Sequence, residues 1–242
     1  MNTEGVKIRV SGLAVQIVRK NIKNLHLGVY PPNGRVRVAA PLRVSDDAVR
    51  LAVIGKLGWI KRQQTRFKAQ ARQSDREMVS GESHYYMGRR YRLRVVERDG
   101  PSRVVQRNRG TLELQVRSKY STQEREQVLW RWYRERLREL VPPLLAKWEA
   151  LLEIRAAAFG IRKMKTKWGA CSVDARRIWL NLELAKKPGQ CLEYIVVHEL
   201  VHLIERHHND SFIAILDRHL PHWRHHRKLL NDAPLGHAEW TY

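Results

Sequence analysis

The 242 residues, 43% of them hydrophobic, suffice for a sizeable core in one large domain or two small ones. No apolar run approaches the roughly 20 residues that a membrane span needs. Forty-six basic against 24 acidic residues give a net charge of +22, which points to an anionic partner rather than a neutral one. The opening MNTEGVKIRV has no apolar stretch of a secretory signal, and Cys171 and Cys191 form neither a disulfide framework nor a CxxC pair. A reducing cytoplasm is therefore the expected home.

In chain order, Val6–Val10, Val15–Val18 and Leu25–Tyr30 have the length and β-branched content of strands. Asn33-Gly34 is a tight-turn dipeptide, and Arg35–Ala39 resumes the alternation until Pro41. Ser45 can cap a helix whose first turn carries Asp46 and Asp47. Val49, Val53, Leu57 and Ile60 then mark an amphipathic helix running to about residue 74, its far end bearing Lys61, Arg62, Arg66, Lys68 and Arg72. Strands return at Tyr85–Met87, Tyr91–Val96, Arg103–Val105 and Leu112–Val116, punctuated by Gly88, Asp99-Gly100 and Asn108–Gly110. Ser121 and Glu124 form a capping box that opens a long helix with Trp130, Tyr133, Leu137 and Leu140 along its apolar stripe. Pro142-Pro143 should kink or restart it before it ends near Ala158. A strand around Ile161–Met164, a loop at Trp168-Gly169, a strand at Arg177–Asn181, a helix from about Gln190 to Arg206 and one or two further helices complete the chain. No internal sequence repeat is apparent. The composition shift places a boundary near residue 120, so that 1–120 is a basic, strand-rich region with one long helix and 121–242 is helix-rich.

The charge follows the same division. Residues 1–120 hold 26 Lys/Arg and 9 Asp/Glu, a net of +17, and the remainder holds 20 and 15, a net of +5. Nucleic acid is the usual partner of such a surface. Membrane lipid fits less well, because the cations sit in strand-like segments without an adjoining apolar helix face.

The chemistry sits in CLEYIVVHELVHLIER, Cys191–Arg206, a helical segment whose apolar residues cover most of its circumference. His198 and His202 are four apart, so both imidazoles emerge on one face at a spacing that suits two ligands of one zinc ion. Glu199 stands one step round the helix, off the ligand line, where a carboxylate serves as general base toward a water rather than as a ligand. Burying two histidines and a glutamate there without a metal would cost several kcal/mol in desolvation. For a third ligand, His208 is favoured and His207 is second. Asn209-Asp210-Ser211 offers helix caps just after His208, which puts it at a turn able to point back at the metal. A metzincin is disfavoured, because Glu205 occupies the glycine slot and Met1, Met78, Met87 and Met164 all lie upstream. Glu239 and Asp217 are acidic alternatives. His222, His225 and Lys165 are candidates by residue type for stabilising an oxyanion, and Cys171 for a structural role beside the site.

WGACS (Trp168–Ser172), RIWLN (Arg177–Asn181), VVHELVHLIERHHNDSF (Val196–Phe212) and LPHW (Leu220–Trp223) together resemble the YgjP-like metallopeptidases, relatives of the SprT-like proteases. APLRVS (Ala40–Ser45) and YYMGRRYRLRV (Tyr85–Val95) extend the resemblance over nearly the whole chain. It implies an α+β fold with a zincin-like HExxH domain, zinc on His198, His202 and His208, Glu199 as catalytic base, and a protein or peptide substrate. In such a mechanism zinc brings the pKa of water near neutrality, and Glu199 takes the proton and passes it to the leaving amine. SprT-like relatives include proteases acting on DNA-bound proteins, and the basic first half fits that docking role. The rival expectation from another class is a basic nucleic-acid-binding protein whose zinc site is structural or vestigial.

Overall fold

The computed structural model describes residues 6–30, 34–69, 76–108, 110–164 and 167–232. Asn33, Arg72, Lys165 and Glu239 lie outside them. The chain is mixed α and β and divides into two compact units, residues 1–72 with 238–242, and residues 73–237. The boundary expected near residue 120 falls inside the second unit. The reason is packing: strands within residues 83–116 bury their apolar face against the helix that starts at Thr122 and share one core with it.

In the first unit, β1 (Val6–Val10), β2 (Leu13–Lys20), β3 (His26–Tyr30) and β4 (Arg35–Pro41) form a sheet of order β1-β2-β4-β3. β1 and β3 run antiparallel to their neighbours, and β2 pairs β4 in parallel. Alternation buries Val15, Ile17, Val36 and Val38 on one face, where Val49, Val53 and Ile60 cover them. These last three come from two helices rather than one, α1 (Asp46–Ile54) and α2 (Leu57–Ala69). Ser45 caps α1 as expected, its hydroxyl accepting from the Ala48 amide at 3.2 Å. Gly55, poor at holding a helix, is where the expected single helix breaks; Lys56 N–H bonds back to Val53 at 3.0 Å.

The second unit opens with β5 (Ser83–Tyr86), β6 (Arg89–Glu97), β7 (Arg103–Asn108) and β8 (Thr111–Val116) in the order β5-β6-β8-β7. β6 pairs β8 in parallel, and the outer strands are antiparallel. This is the pairing scheme of the first sheet again, a repeat of topology that the side chains do not advertise. α3 (Thr122–Leu151) lies on this sheet through Val128, Leu129, Trp132 and Tyr133. Its capping box forms, with Ser121 N–H donating to Glu124 at 2.8 Å. It neither restarts at Pro142-Pro143 nor reaches Ala158. The prolines and the residues one turn earlier, Arg138 and Glu139, are exposed, so the freed carbonyls face water, while Leu137, Val141, Leu145 and Trp148 anchor the opposite side. The helix ends where Glu153 takes φ +53° and Ile154 N–H bonds back to Glu149 at 3.0 Å.

β9 (Ala158–Arg162), β10 (Gly169–Ser172) and β11 (Arg177–Asn181) form a third sheet of order β10-β11-β9, with β11 antiparallel to β10 and parallel to β9. A 3-10 helix, Leu182–Lys186, leads into α4 (Gly189–Val201), followed by α5 (Asp210–His219) and α6 (Trp223–Asp232). Among the described residues, no helix is long and apolar enough to cross a membrane.

The tight turn Met87-Gly88 between β5 and β6 has φ +49° and +77°, and its amides donate to the Ala185 and Lys186 carbonyls at 2.8 and 3.3 Å. A side chain at Gly88 would meet Pro188, the residue before α4, at 2.8 Å and its backbone at 3.1 Å. Gly88→Ala is expected to destabilise the protein by about 1–3 kcal/mol, through the positive φ and the collision together. Thermal unfolding checks this, and an unchanged midpoint would refute the docking role of the turn.

Candidate active site

α4 is the most buried helix of the second unit. Cys191, Leu192, Tyr194 to Val197, Leu200 and Val201 are all buried, as the all-round apolar pattern requires. The helix is shorter than its sequence suggests, because it ends at His202, its C-cap. Leu203 and Ile204 amides bond three residues back, and Glu205 then organises the turn. Its carboxylate accepts from the His207 amide at 3.1 Å and from the Asn209 side chain. Asn209 in turn caps α5, accepting from the Phe212 amide at 3.0 Å. A charged residue thus closes by hydrogen bonding the turn that a glycine would close by conformational freedom.

The turn carries His208, and not His207, back to α4. Ring nitrogens of His198, His202 and His208 lie within 4.8 Å of one another, the one cluster among the described residues whose His, Cys, Asp or Glu side chains could hold a metal ion together. Phe212, one turn after His208, sits under all three rings with centroids 5.0, 4.8 and 4.7 Å from His198, His202 and His208. It is itself buried and fixes the ring positions by packing.

Three features of the rings bear on whether this set fits a cation. Burial pushes the His198 pKa down to about 3, aided by His202, His208 and Arg227, and burial lowers His202 and His208 as well, so the rings are neutral at physiological pH. The Glu205 carbonyl lies 3.1 Å from His202 Nδ1 and holds the proton there, which leaves Nε2 with its lone pair free. His198 Nε2 and His208 Nε2 face each other at 3.0 Å. Two unprotonated nitrogens so close repel unless a cation or proton lies between them. Three neutral imidazoles of this arrangement suit a borderline-soft divalent ion such as zinc.

Glu199 points elsewhere. It is 4% exposed, and no described residue donates a hydrogen bond to its carboxylate. Burial therefore pushes its pKa up to about 8, against a weak opposing pull from Lys167. Space for the carboxylate comes from Gly169, the first residue of β10, where an added Cβ would approach Glu199 Cγ and Cδ at 2.8 Å and Oε1 more closely still. The approach to β10 is held by Asn181. Its side-chain amide donates to the Met164 and Lys167 carbonyls at 2.9 and 2.7 Å, and its backbone N–H donates to Trp168 at 2.9 Å. Burial, aided by the Glu199 charge, raises the Cys171 thiol to about 11, a pKa that leaves it unreactive.

Of the oxyanion candidates, His222 and His225 are exposed at the start of α6. Two cations with no motif to mark them act on the cluster and on Glu199 instead. Arg227, one turn after the Trp223 that stacks on Tyr194, acts on Tyr194, His198 and His208, and Lys167 acts on Glu199.

A family model described as YgjP-like, metallopeptidase domain, matches residues 23–233. Among solved structures, the crystal structure of the metallopeptidase zymogen of Pyrococcus abyssi abylysin is similar over 37% of this chain and 90% of its own, at 22% identity and a TM-score of 0.35. No curated protein matches.

The raised Glu199 carboxyl has a consequence for stability without metal. A pKa higher in the folded than in the unfolded chain favours folding below about 4.5 and progressively less as pH rises toward 8. Metal-free Glu199→Gln is therefore expected to exceed the metal-free wild type in stability at pH 8, by on the order of 3 kcal/mol, and to match it near pH 4. Denaturant unfolding of both at the two pH values checks this; parallel pH profiles would refute the desolvated carboxylate.

Proposed function

From the premise that the chain belongs to the YgjP-like metallopeptidase family, we propose that it is a zinc peptidase in which His198, His202 and His208 hold the metal and Glu199 is the general base. The observation that carries this is a buried carboxylate without a described hydrogen-bond donor, next to His198 and three residues before His202 of the histidine cluster. A purely structural metal site has no use for such a group, and its desolvation is a standing cost. Function explains its retention.

When bound, zinc supplies a Lewis acid that activates water near neutral pH and a positive charge that favours the ionised form of Glu199. Glu199 takes the proton of the attacking water and returns it to the leaving amine. Gly169 keeps open the volume in which that carboxylate moves. β10 is an edge strand whose described partner is β11 alone, and it begins at Gly169 against Glu199. An extended peptide added along it would bring a backbone carbonyl to the cluster, which favours a peptide over other hydrolysable substrates. The +17 charge of residues 1–120 supports nucleic acid as an accompanying partner, and proteins associated with nucleic acid as the substrate class.

The experiment is zinc content together with proteolysis, for wild type, Glu199→Gln, His207→Ala and His208→Ala, with and without DNA. About one zinc per chain is expected in wild type, Glu199→Gln and His207→Ala, with much weaker retention in His208→Ala. Glu199→Gln should lose on the order of 10²–10⁴-fold in kcat/KM. Folded wild type without zinc, or a fully active Glu199→Gln, would overturn the proposal. Zinc in both proteins without cleavage under any condition would turn the choice to a nucleic-acid-binding protein with a structural site. Separately, Gly169→Ala should keep its zinc and lose kcat, because the new methyl meets Glu199 first.

A further inference from the structure

The run Arg89–Val95 has arginine at 90, 92 and 94, the period of a strand. In β6 the residues between them, Tyr91 and Leu93, are buried at 4% and 1% in the core under α3. The three arginines must then point away from α3, and all are exposed. They do not stand alone. Across the sheet, Arg94 pairs in register with Glu113 of β8, and Arg103 of β7 with Gln115. Arg103 Nε donates to Gln115 Oε1 at 2.9 Å, Gln115 Nε2 donates to Glu113 Oε1 at 2.7 Å, and Arg107 Nη2 donates to the same oxygen at 2.8 Å. Arg98 Nη1 also donates to Gln115 Oε1, at 3.1 Å, so six arginines (90, 92, 94, 98, 103 and 107) share this side of the sheet with one buried carboxylate, Glu113.

That carboxylate does not neutralise the face. Arg107 and Gln115 hold Glu113 at a pKa of about 2, so it is ionised at any physiological pH, yet it contributes a single negative charge. Glu82 and Glu97, carboxylates of neighbouring strand ends, pair with Arg76 and Arg125. Among the described residues, neither Arg90 nor Arg92 has a carboxylate partner. Glu113 lies 7% exposed beneath the arginines and accepts from one guanidinium nitrogen of Arg107, with one of Arg94 3.9 Å away, while the side chains of Arg94 and Arg107 remain 68% and 53% exposed. Like charges side by side on a sheet are destabilising, and a surface serving only solubility is met by interspersed signs.

We propose that the outer face of the β5–β8 sheet is a binding surface for the phosphate backbone of nucleic acid. The proposal deepens the nucleic-acid part of the function above and is independent of its peptidase part. Every cation on the face is arginine, whose planar fork matches phosphate bidentately where a lysine offers a point charge. Successive arginines on β6 recur about every 6.8 Å, a regular comb suited to a regularly charged polymer. The face is turned away from α3, so a bound backbone leaves the histidine cluster of α4 free.

The test is binding of a short fluorescently labelled DNA duplex to the full-length protein, followed by anisotropy over a range of salt concentrations. Replacing Arg90, Arg92 and Arg94 together with Gln is expected to weaken binding on the order of tenfold or more at low salt and to reduce the slope of log K against log salt by about 3. A matched triple replacement of Arg138, Arg218 and Lys228 with Gln, equal in charge but off the face, should stay within about twofold of wild type at each salt concentration. Melting curves on both triple variants separate loss of contact from loss of fold. Equal weakening by the two sets would mean that net charge and not this face attracts DNA, and would overturn the proposal. So would absence of binding by wild type, or competition by polyglutamate as effective as by unlabelled DNA. The measurement reads no cleavage, so a protein that binds as expected and hydrolyses nothing would sink the peptidase reading alone.

Discussion

An ionisable carboxyl group, Glu199, is held inside an apolar helix with no hydrogen-bond donor among the described residues, and much of the second unit is arranged around that constraint. Left in water the group would ionise near 4.5; at its site burial raises that to about 8. The same burial keeps His198 neutral. One physical cause, the removal of water, thus keeps a proton on the Glu199 carboxyl toward neutral pH and keeps the histidine rings free of extra protons. Both effects need α4 packed on most sides, which α3, α5, α6 and the β10–β11 edge accomplish.

The support for this arrangement is made of small, specific accommodations. Gly169 makes room for the Glu199 carboxylate where any side chain would collide. Phe212 sets the three imidazoles at nearly equal distances from its ring. Glu205 and Asn209 tie the turn that brings His208 round, and Asn181 holds the segment before β10 by its side-chain amide. Each acts on geometry rather than on chemistry; the Gly169 and Asn181 contacts join segments distant in the chain, and those of Glu205 and Asn209 shape a local turn. Small shifts at any of them would move a reacting group without unfolding the unit.

The two four-stranded sheets share one order of strand pairing, β1-β2-β4-β3 and β5-β6-β8-β7, yet each builds its own core. In each, one face packs its alternating apolar residues against helices. In the second sheet the opposite face concentrates arginines around Glu113 and Gln115. Alternation along β6 imposes that outcome: once Tyr91 and Leu93 enter the core, their neighbours have nowhere else to go.

Local patterns were decided by the sequence alone. The i, i+4 spacing of His198 and His202, the apolar girth of α4, the capping box at Ser121 and the helix start at Ser45 depend on neighbours within a few residues, and the folded chain has each of them. The family was equally legible, because its motifs are short runs such as WGACS and VVHELVH. Tertiary structure alone decided the rest. It brings His208 rather than His207 to the cluster, sets Gly169 against Glu199, places the charges of Arg227 and Lys167 where they act on His198 and Glu199, continues α3 through two prolines, and joins residues 83–116 to the helices that follow. These depend on which surfaces meet after the chain folds back. Periodicity tells a residue which side of its own helix or strand it occupies, but the partner on that side is chosen by the packing of segments tens of residues away.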